Sequence, residues 1–335
     1  MEPVDRLNRP LRALRVSVTD RCNFRCPYCM PRERFGDDHA FLDRQAILSF
    51  EEIERLVRLF VALGVRKVRL TGGEPLLRRD LPELVRRLRA IPELRDIALT
   101  TNGALLPELA RPLRVAGLDR VTVSLDALDP DRFAALSDSR LPVGRVLEGI
   151  ATAGAAGFGP LKLNCVLQRG VNEDEILPLA AFARAHGHLL RFIEYMDVGS
   201  GQDWRMDRVV PAEEVARRLS EHWPLERVDS GHADCVAQHW RYRDGGGEVG
   251  LIASVTAPFC QGCDRARLSA DGHLYACLFA TEGLDLKGLL RGGASDATLA
   301  ALLRSRWAAR EDRYSELRTE ATARQPKVEM FRLGG

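Results

Sequence analysis

Short apolar stretches recur along the first two thirds of the chain, and longer segments with helical periodicity separate them. The apolar stretches are rich in β-branched residues, which is typical of strands buried in a sheet. They predict strands at residues 15–19, 67–70, 97–101, 120–125, 162–167 and 190–195. Apolar positions three and four residues apart predict helices at residues 50–63, 81–90, 143–156 and 173–185. Ser49 and Glu52 open the first of these helices with the spacing of a capping box.

Strands that alternate with helices form a parallel sheet with right-handed crossovers. A complete β/α barrel needs about eight such units. The six units here therefore predict an α/β fold, an incomplete (β/α)6 barrel of the TIM type closed by the C-terminal region. The alternation stops where Gly199, Ser200 and Gly201 interrupt the chain. We therefore expect a barrel domain at residues 1–200 and a second domain at residues 201–335.

The charge balance argues against two classes of function. The chain carries 49 Lys and Arg against 47 Asp and Glu. Bulk attachment to nucleic acid or to an anionic membrane is therefore not expected. The polar N-terminus does not resemble a secretory signal, and no stretch has the roughly 18 to 20 apolar residues of a membrane span. We expect a cytoplasmic protein, in a compartment that keeps thiols reduced.

Eight cysteines are present, and six of them form two triplets, whereas Cys165 and Cys235 stand apart. Clustered thiols in a reducing compartment indicate a metal site rather than disulfides. Cys22, Cys26 and Cys29 lie in one loop after the first predicted strand, with C-x3-C-x2-C spacing. Three thiolates can hold three irons of a [4Fe–4S] cube and leave the fourth open to a small molecule such as S-adenosylmethionine. Zinc, which prefers four ligands, fits this spacing less well.

The second triplet, Cys260, Cys263 and Cys277, has C-x2-C-x13-C spacing. This spacing is compatible with zinc, for which His273 is the only nearby fourth ligand, and with iron–sulfur. The first triplet favours a second [4Fe–4S] cluster with an open iron. Directly after Cys263, the chain carries an Arg-x-Arg element. Residues two apart in an extended segment face the same side, so these guanidinium groups are suited to a phosphate ligand.

The first triplet has Tyr28 before its last cysteine and is followed by Gly72-Gly73-Glu74-Pro75 after the second predicted strand. Both features resemble the signatures of radical S-adenosylmethionine enzymes. Together with the second triplet, the Arg-x-Arg element and the terminal Gly-Gly, they make the whole chain resemble the GTP 3′,8-cyclase family. That family performs the first step of molybdenum cofactor biosynthesis.

The resemblance implies that two [4Fe–4S] clusters and S-adenosylmethionine are the cofactors and that GTP is the substrate. A 5′-deoxyadenosyl radical would take the ribose 3′ hydrogen, and the sugar radical would attack C8 of guanine. One-electron reduction and protonation of the cyclised radical would then give (8S)-3′,8-cyclo-7,8-dihydroguanosine 5′-triphosphate. The resemblance assigns the cluster ligands to Cys22, Cys26, Cys29, Cys260, Cys263 and Cys277. It assigns the cofactor pocket to Tyr28, Gly73, Glu74, Ser124 and Met196. It assigns GTP binding to Arg15, Arg69, Thr100, Lys162, Arg265 and Arg267, and catalysis to Arg265, Arg267, Gly334 and Gly335.

Partners follow from the same resemblance. It implies an electron donor such as a flavodoxin or a ferredoxin, and a downstream cyclic pyranopterin monophosphate synthase, and it allows a homodimer. Two other hypotheses stay open. The first is a radical enzyme with an auxiliary cluster that acts on a peptide or a small alcohol, which would not need the Arg-x-Arg element. The second is a non-catalytic iron–sulfur sensor, which would not need the Gly-Gly-Glu-Pro element.

Overall fold

The computed structural model describes residues 2–199, 204–228 and 236–334, so Cys235 and Gly335 lie outside the described residues. The described strands form one sheet of 12 strands. In chain order they are β1 (Ala13–Ser17), β2 (Lys67–Thr71), β3 (Asp96–Thr101), β4 (Arg120–Ser124), β5 (Lys162–Leu167), β6 (Leu189–Glu194), β7 (Leu225–Val228), β8 (Gln238–Tyr242), β9 (Glu248–Ile252), β10 (Arg265–Leu268), β11 (His273–Tyr275) and β12 (Leu284–Asp285).

The described helices pack around this sheet or follow it in sequence. They are α1 (Phe50–Ala62), α2 (Leu81–Arg89), α3 (Leu106–Val115), α4 (Pro130–Ser137), α5 (Val143–Ala153), α6 (Ile176–Ala185), α7 (Ala212–Ser220), α8 (Leu286–Arg291), α9 (Asp296–Ala308), α10 (Glu320–Ala323) and α11 (Met330–Leu333). The four predicted helices are confirmed as α1, α2, α5 and α6, and the Ser49–Glu52 capping box is formed. None of the described helices is both long and apolar enough to cross a bilayer.

The six predicted strands are confirmed as β1 to β6, which lie side by side in chain order and run parallel. The C-terminal region adds to this sheet at both sides. Strand β10 pairs parallel with β1, and β9 pairs parallel with β6. Antiparallel strands continue outward from each, with β12 at one edge and β7 at the other. No pairing joins β7 to β12 within the described residues, so the barrel is incomplete as predicted. The C-terminal region lengthens the sheet rather than sealing it by hydrogen bonds.

Successive side chains of each parallel strand point alternately to the helices and to the interior of the barrel. On β1, Leu14 and Val16 are buried in the same hydrophobic cluster as Phe60 of α1. Because successive side chains of a strand point to opposite faces, Arg15 and Ser17 then lie on the inner face. The apolar layer under the helices therefore fixes the strand register, and the register places the polar side chains inside the barrel.

The segment that leads to the C-terminus is held by a buried ionic cluster around Asp197, just after β6. Asp197 accepts hydrogen bonds from the hydroxyl of Tyr314 and from Nε of Arg318, the latter at 2.8 Å. The Lys327 Nζ lies 3.4 Å from its second oxygen. The side chains of Asp197 and Lys327 are each 1% exposed and that of Arg318 is 7% exposed. One carboxylate thus balances two buried cations.

Asp197→Ala is expected to loosen this segment, because it leaves two cations buried without their carboxylate. Removing one partner of a buried pair costs about 3 kcal/mol or more. We expect hydrogen exchange at the Leu317 and Val328 amides to accelerate by about a hundredfold, since each 1.4 kcal/mol is a factor of ten. The control is Asp207→Ala, which breaks a surface pair with Arg205 whose side chains are 66% and 58% exposed. Equal exchange in the two variants would contradict the anchoring role of Asp197.

Candidate active site

A cleft of about 140 Å³ opens where the parallel strands end. Its wall combines the cysteine loop, the turn after β2, the ends of β3 and β4, and helix α11 from the C-terminus. Ligands of β/α barrels bind at this carboxyl-terminal end of the strands. The lining residues are Cys22, Phe24, Cys26, Tyr28, Cys29, Thr71, Gly72, Gly73, Glu74, Thr100, Thr101, Asn102, Ser124, Asp126, Phe133, Leu136, Ser137, Met330 and Phe331.

The first cysteine triplet lies in a tight loop directly after β1. The Cys29 amide donates to the Cys26 carbonyl at 2.9 Å, which closes a turn between the last two cysteines. Arg25 pins the loop from its outer side, donating to the carbonyls of Cys22 at 2.7 Å and of Phe35 at 2.8 Å. The turn and the Arg25 contacts fix the backbone of the loop, so that the three thiols face the cleft together.

The turn after β2 packs directly onto the backbone that precedes this loop. The Gly73 amide donates to the Thr19 carbonyl at 2.9 Å, and the Glu74 amide donates to the Arg21 carbonyl at 2.7 Å. A Cβ atom on Gly73 would overlap the carbonyl oxygen of Arg21, so only glycine fits this position. The two glycines therefore bring bare backbone into the cleft wall beside the thiols.

Glu74 stabilises the turn. Its carboxylate accepts hydrogen bonds from the amides of Leu76 at 2.9 Å and Asn102 at 2.7 Å, and from the Thr101 hydroxyl at 2.7 Å. Burial raises the pKa of Glu74 to about 7, although these donors act in the opposite direction. Glu74 thus ties the Gly-Gly turn to the end of β3.

The thiols of the first triplet fit an iron–sulfur cluster. Burial, followed by the neighbouring Cys22 and Cys29, raises the pKa of Cys26 well above its usual value. Three thiolates in one short loop need a cationic group between them. Among the described residues, no three His, Cys, Asp or Glu side chains converge on a point where one metal ion would sit. A cube spreads its thiolates over three irons, which suits this arrangement better than a single zinc ion.

Arginines from the three neighbouring strands β10, β1 and β2, together with one from β6, form a patch on the inner face of the barrel. Arg15 of β1 lies in register with Arg69 of β2 and with Arg267 of β10. Arg265 is two residues from Arg267 and shares its side of the strand. Arg191 of β6 approaches from across the barrel, because its charge acts on Arg15 and on Arg69. We name Arg15, Arg69, Arg191, Arg265 and Arg267 the arginine patch.

Among the described residues, Arg15, Arg69 and Arg267 of the arginine patch form no ion pair with a carboxylate. Burial, and then repulsion from the other arginines, lowers the pKa of Arg15 well below 12.5 and the pKa of Arg267 to about 10. Within the described chain, the side-chain hydrogen bonds of Arg15, Arg69 and Arg267 go to hydroxyl and carbonyl oxygens. Arg69, for example, donates to Thr100 at 3.0 Å and to Thr122 at 3.2 Å. Buried cations without carboxylate partners are suited to a polyanionic ligand.

The second cysteine triplet lies next to this patch. Cys260 and Cys263 flank a short turn just before β10, and Cys277 follows β11. Arg265 donates to Sγ of Cys263 at 3.5 Å. Burial alone would raise the pKa of Cys263, but Arg265 and Arg310 outweigh it and lower the pKa to about 6. Cys277 lacks such strong compensation, and burial raises its pKa to about 11.

The C-terminal residues connect the cleft with the arginine patch. The Gly334 carbonyl accepts from Arg267 at 2.7 Å and from Arg15 at 3.2 Å. Gly334 has φ +69°, and a Cβ atom there would overlap the side chain of Thr71, a residue of the cleft wall. Phe331 packs on Phe35 with ring centroids 5.0 Å apart. Glycine is therefore required at position 334 for the chain to pass between the cleft and the patch.

The structure brings most of the residues predicted for the site together. Of the residues predicted to bind the cofactor, Tyr28, Gly73, Glu74 and Ser124 line the cleft, whereas Met196 follows β6 and is not among the lining residues. Lys162 begins β5, in register with Thr122. Gly335 lies outside the described residues.

Sequence reasoning missed several residues of this site. Asn102 and Asp126 line the cleft just beyond β3 and β4, and polar residues at strand ends were the available signal. Asp126 accepts from the Tyr28 hydroxyl at 2.7 Å and from the Val166 amide at 2.8 Å. Arg191, which donates to Asn164 at 3.0 Å, was recognisable only as a basic residue within a strand.

Both halves of the chain match known protein families. Residues 16–183 match the Radical SAM superfamily, and residues 188–316 match the family described as Molybdenum Cofactor Synthesis C. The chain is 56% identical to the GTP 3′,8-cyclase of Xanthomonas axonopodis pv. citri, over 99% of this chain and 98% of that protein. It is 45% identical to the GTP 3′,8-cyclase of Staphylococcus carnosus, again over 99% of this chain and 98% of that protein.

Solved structures with much lower identity share the fold. Streptococcus suis SuiB superposes with a TM-score of 0.60 at 16% identity, covering 92% of this chain and 68% of SuiB. SuiB bound to S-adenosylmethionine gives a TM-score of 0.58 at 15% identity, over 90% of this chain and 67% of SuiB. The full-length relatives and the two family matches confirm the resemblance recognised from the cysteine triplets. The chain belongs to the GTP 3′,8-cyclase family of radical S-adenosylmethionine enzymes.

Proposed function

We propose that this protein converts GTP to (8S)-3′,8-cyclo-7,8-dihydroguanosine 5′-triphosphate, the first step of molybdenum cofactor biosynthesis. One observation carries the proposal for this chain's own residues. The cleft at the cysteine loop adjoins a buried arginine patch, and residues of the C-terminus touch both. A radical source and a polyphosphate site within one barrel are what a nucleotide-modifying radical enzyme needs.

In the cleft, Cys22, Cys26 and Cys29 hold the first [4Fe–4S] cluster. When bound, this cluster and S-adenosylmethionine supply a 5′-deoxyadenosyl radical. The exposed backbone at Gly73 receives the amino end of the cofactor, and Glu74 keeps that backbone in place through its bonds to the end of β3. Ser124 and Tyr28 would orient the remainder, and Met196, which follows β6 outside the cleft lining, would add a further cofactor contact.

On the other side, the arginine patch binds the triphosphate of GTP, together with Lys162 and Thr100. Cys260, Cys263 and Cys277 hold a second [4Fe–4S] cluster beside Arg265, where the guanine base is bound. Fixing the nucleotide at both ends places the ribose 3′ hydrogen toward the cleft. Positioning of this kind is the main contribution of the protein, because a misplaced radical reacts elsewhere.

The terminal glycines take part in initiating the reaction. The Gly334 carbonyl accepts hydrogen bonds from the guanidinium groups of Arg15 and Arg267. The same two groups are suited to binding phosphate. Triphosphate binding and the position of the tail are therefore coupled through the same two arginines. In this proposal Gly335 shares the catalytic role of Gly334.

The division into domains, the partners and the location complete the proposal. Residues 1–200 form the part that generates the radical, and residues 201–335 supply the second cluster and the tail. The electron donor is a flavodoxin or a ferredoxin, and a cyclic pyranopterin monophosphate synthase consumes the product in the cytoplasm. A homodimer is compatible with these roles.

Binding of S-adenosylmethionine is expected to weaken as pH falls through about 6, because Asp126 loses its charge there. Burial raises the pKa of Asp126 to about 6, while hydrogen bonds from Tyr28 and Val166 act against the rise. Below that pH the carboxyl is neutral and no longer attracts the positively charged cofactor. Because a single group takes up the proton, the affinity for S-adenosylmethionine should fall by about tenfold for each pH unit below the pKa of Asp126. Equilibrium binding of radiolabelled cofactor between pH 5 and pH 8 measures this.

Two variants distinguish the contribution of Asp126 to this pH dependence from that of Glu74, the other cleft carboxyl with a raised pKa. Asp126→Asn is expected to abolish the change in cofactor affinity that has its midpoint near pH 6. Only the pH dependence caused by Glu74 should then remain. Tyr28→Phe is expected to move the midpoint to higher pH, because the hydrogen bond that lowers the pKa of Asp126 is lost. An Asp126→Asn profile that superimposes on that of the parent protein would rule out this role.

The proposed reaction is tested by product analysis with two nucleotides. Protein reconstituted without oxygen is incubated with dithionite, S-adenosylmethionine and either GTP or ATP. We expect 5′-deoxyadenosine and a product with the mass of GTP when GTP is supplied, and neither with ATP. Equal 5′-deoxyadenosine with both nucleotides, without a new guanine nucleotide, would keep the radical chemistry and refute the substrate.

A further inference from the structure

Arg310 is a buried basic residue that the proposed reaction leaves unused. It follows helix α9, and its side chain is 1% exposed. Its Nη1 donates to the Cys263 carbonyl at 2.7 Å, and its Nη2 donates to Sγ of the same cysteine at 3.3 Å. One guanidinium group therefore holds both the backbone and the sulfur of a cluster cysteine.

Arg310 belongs to a unit formed from both ends of the chain. The Asp5 carboxylate, itself fully buried, accepts from Nε of Arg9 at 2.6 Å and from Nη1 of Arg310 at 3.2 Å. Arg9 in turn donates to the Cys260 carbonyl at 2.8 Å. The two arginines thus hold the two cysteines of the turn before β10, and Asp5 fixes the distance between them. Trp307 supports the unit, donating to the Arg9 carbonyl at 3.0 Å and lying against the Arg310 guanidinium at 4.7 Å.

This geometry gives Arg310 a role distinct from that of Arg265. Arg265 lies on β10 within the arginine patch, where the substrate is expected. Arg310 reaches the same sulfur from the segment after helix α9 and is tied to Asp5 and to the Cys263 carbonyl. Two charged donors thus converge on Sγ of Cys263, at 3.3 Å and 3.5 Å. A hydrogen bond from a cation to a cluster sulfur withdraws electron density and raises the reduction potential of the cluster.

We propose that Arg310 is a positioning residue that sets the reduction potential of the second cluster, with Asp5 and Arg9 holding it against Cys263. The proposal rests on the proposed assignment of Cys260, Cys263 and Cys277 as cluster ligands. It concerns the redox poise of the substrate-side cluster and requires no contact between Arg310 and GTP.

The test measures the potential of this cluster by itself. The background is the full-length chain with Cys22, Cys26 and Cys29 all replaced by alanine, so that the second cluster alone contributes to the electron paramagnetic resonance signal. In this background, Arg310→Gln is expected to shift the potential to more negative values. The ratio of oxidised to reduced cluster at a fixed poise should rise by about tenfold, equivalent to about 59 mV for one electron. Arg310→Lys, which keeps the charge but loses one donor, should shift it less.

The matched control is Arg6→Gln. Arg6 and Glu311 join the same two chain segments as Arg9 and Arg310, but their side chains are 61% and 69% exposed. This variant should keep the potential of the background protein. An Arg310→Gln protein with full iron content and an unchanged potential would overturn the proposal. If Arg310→Gln loses its iron, an unchanged potential in Arg310→Lys overturns it equally. A background protein with much less than about four irons per chain would refute the cluster assignment itself, and the proposal with it.

Discussion

Replacement of Cys26 by alanine is expected to abolish 5′-deoxyadenosine formation and to halve the iron content, from about eight irons per chain to about four. Cys26 lies between the other two cysteines of its loop, and its carbonyl accepts the amides of Cys29 at 2.9 Å and of Met30 at 2.8 Å. Alanine preserves this turn but removes one of three thiolates, and two cannot hold the cube. Iron and sulfide analysis, together with quantification of 5′-deoxyadenosine, checks both effects on one preparation.

The control for this loss is Cys165→Ala. Cys165 is buried within β5, where Asn172 donates to its sulfur at 3.8 Å, and it belongs to neither triplet. We expect full iron content in this variant. A Cys26→Ala protein that retains about eight irons would contradict the assignment of the first triplet. A Cys165→Ala protein that loses half its iron would show that thiols outside the triplets bind clusters.

Replacement of Arg267 by glutamine is expected to weaken GTP binding by about 10- to 100-fold. A hydrogen bond to a charged group contributes about 1.5–3 kcal/mol, and the triphosphate offers a bidentate site for the guanidinium group. Arg15→Gln should have a similar effect, since Arg15 lies in register with Arg267 and shares its contact to the Gly334 carbonyl. Equilibrium binding of GTP under anoxic conditions measures the loss.

Guanosine separates phosphate recognition from base recognition. Since guanosine carries no phosphate, its affinity should be the same for Arg267→Gln and for the parent protein. The matched control is Arg12→Gln, an exposed arginine just before β1, which should bind GTP like the parent. If Arg267→Gln weakened guanosine as much as GTP, the arginine patch would bind the base or act through the fold instead.

The barrel strands and the two cysteine triplets could be predicted because both depend on local sequence. Buried parallel strands produce short β-branched runs, and three thiols in eight residues, from Cys22 to Cys29, need no long-range information. The boundaries shifted by at most a few residues: β1, for example, covers Ala13–Ser17 instead of residues 15–19. Helix ends and strand ends are set partly by tertiary contacts, which explains shifts of this size.

Helices α3 and α4, in the barrel half of the chain, are among the helices that the sequence analysis did not predict. Helix α3 has Pro112 in its interior, and proline there normally breaks a helix. Helix α4 begins with Pro130 after Asp129, whose side chain caps the Arg132 amide at 2.9 Å. Aspartate followed by proline is a recognisable start signal, so α4 was predictable. Packing against the apolar layer outweighs the cost of Pro112 in α3.

The pairing of the C-terminal strands was not predictable from the sequence. Strand β10 lies about 250 residues from β1 along the chain, yet the two pair in register, Arg15 opposite Arg267. No local pattern encodes a contact at that separation. The same holds for Arg310, whose role depends on Asp5 and Arg9 from the opposite end of the chain. Recognition of such residues requires the fold, whereas the motif cysteines do not.

The central claim is that the radical generated at the cysteine loop takes the 3′ hydrogen of GTP bound at the arginine patch. The most direct test uses GTP that carries deuterium at C3′, incubated with the reconstituted protein, dithionite and unlabelled S-adenosylmethionine. We predict that the 5′-deoxyadenosine formed contains one deuterium, detected by mass spectrometry. Unlabelled 5′-deoxyadenosine, formed while the labelled GTP is consumed, would contradict the claim.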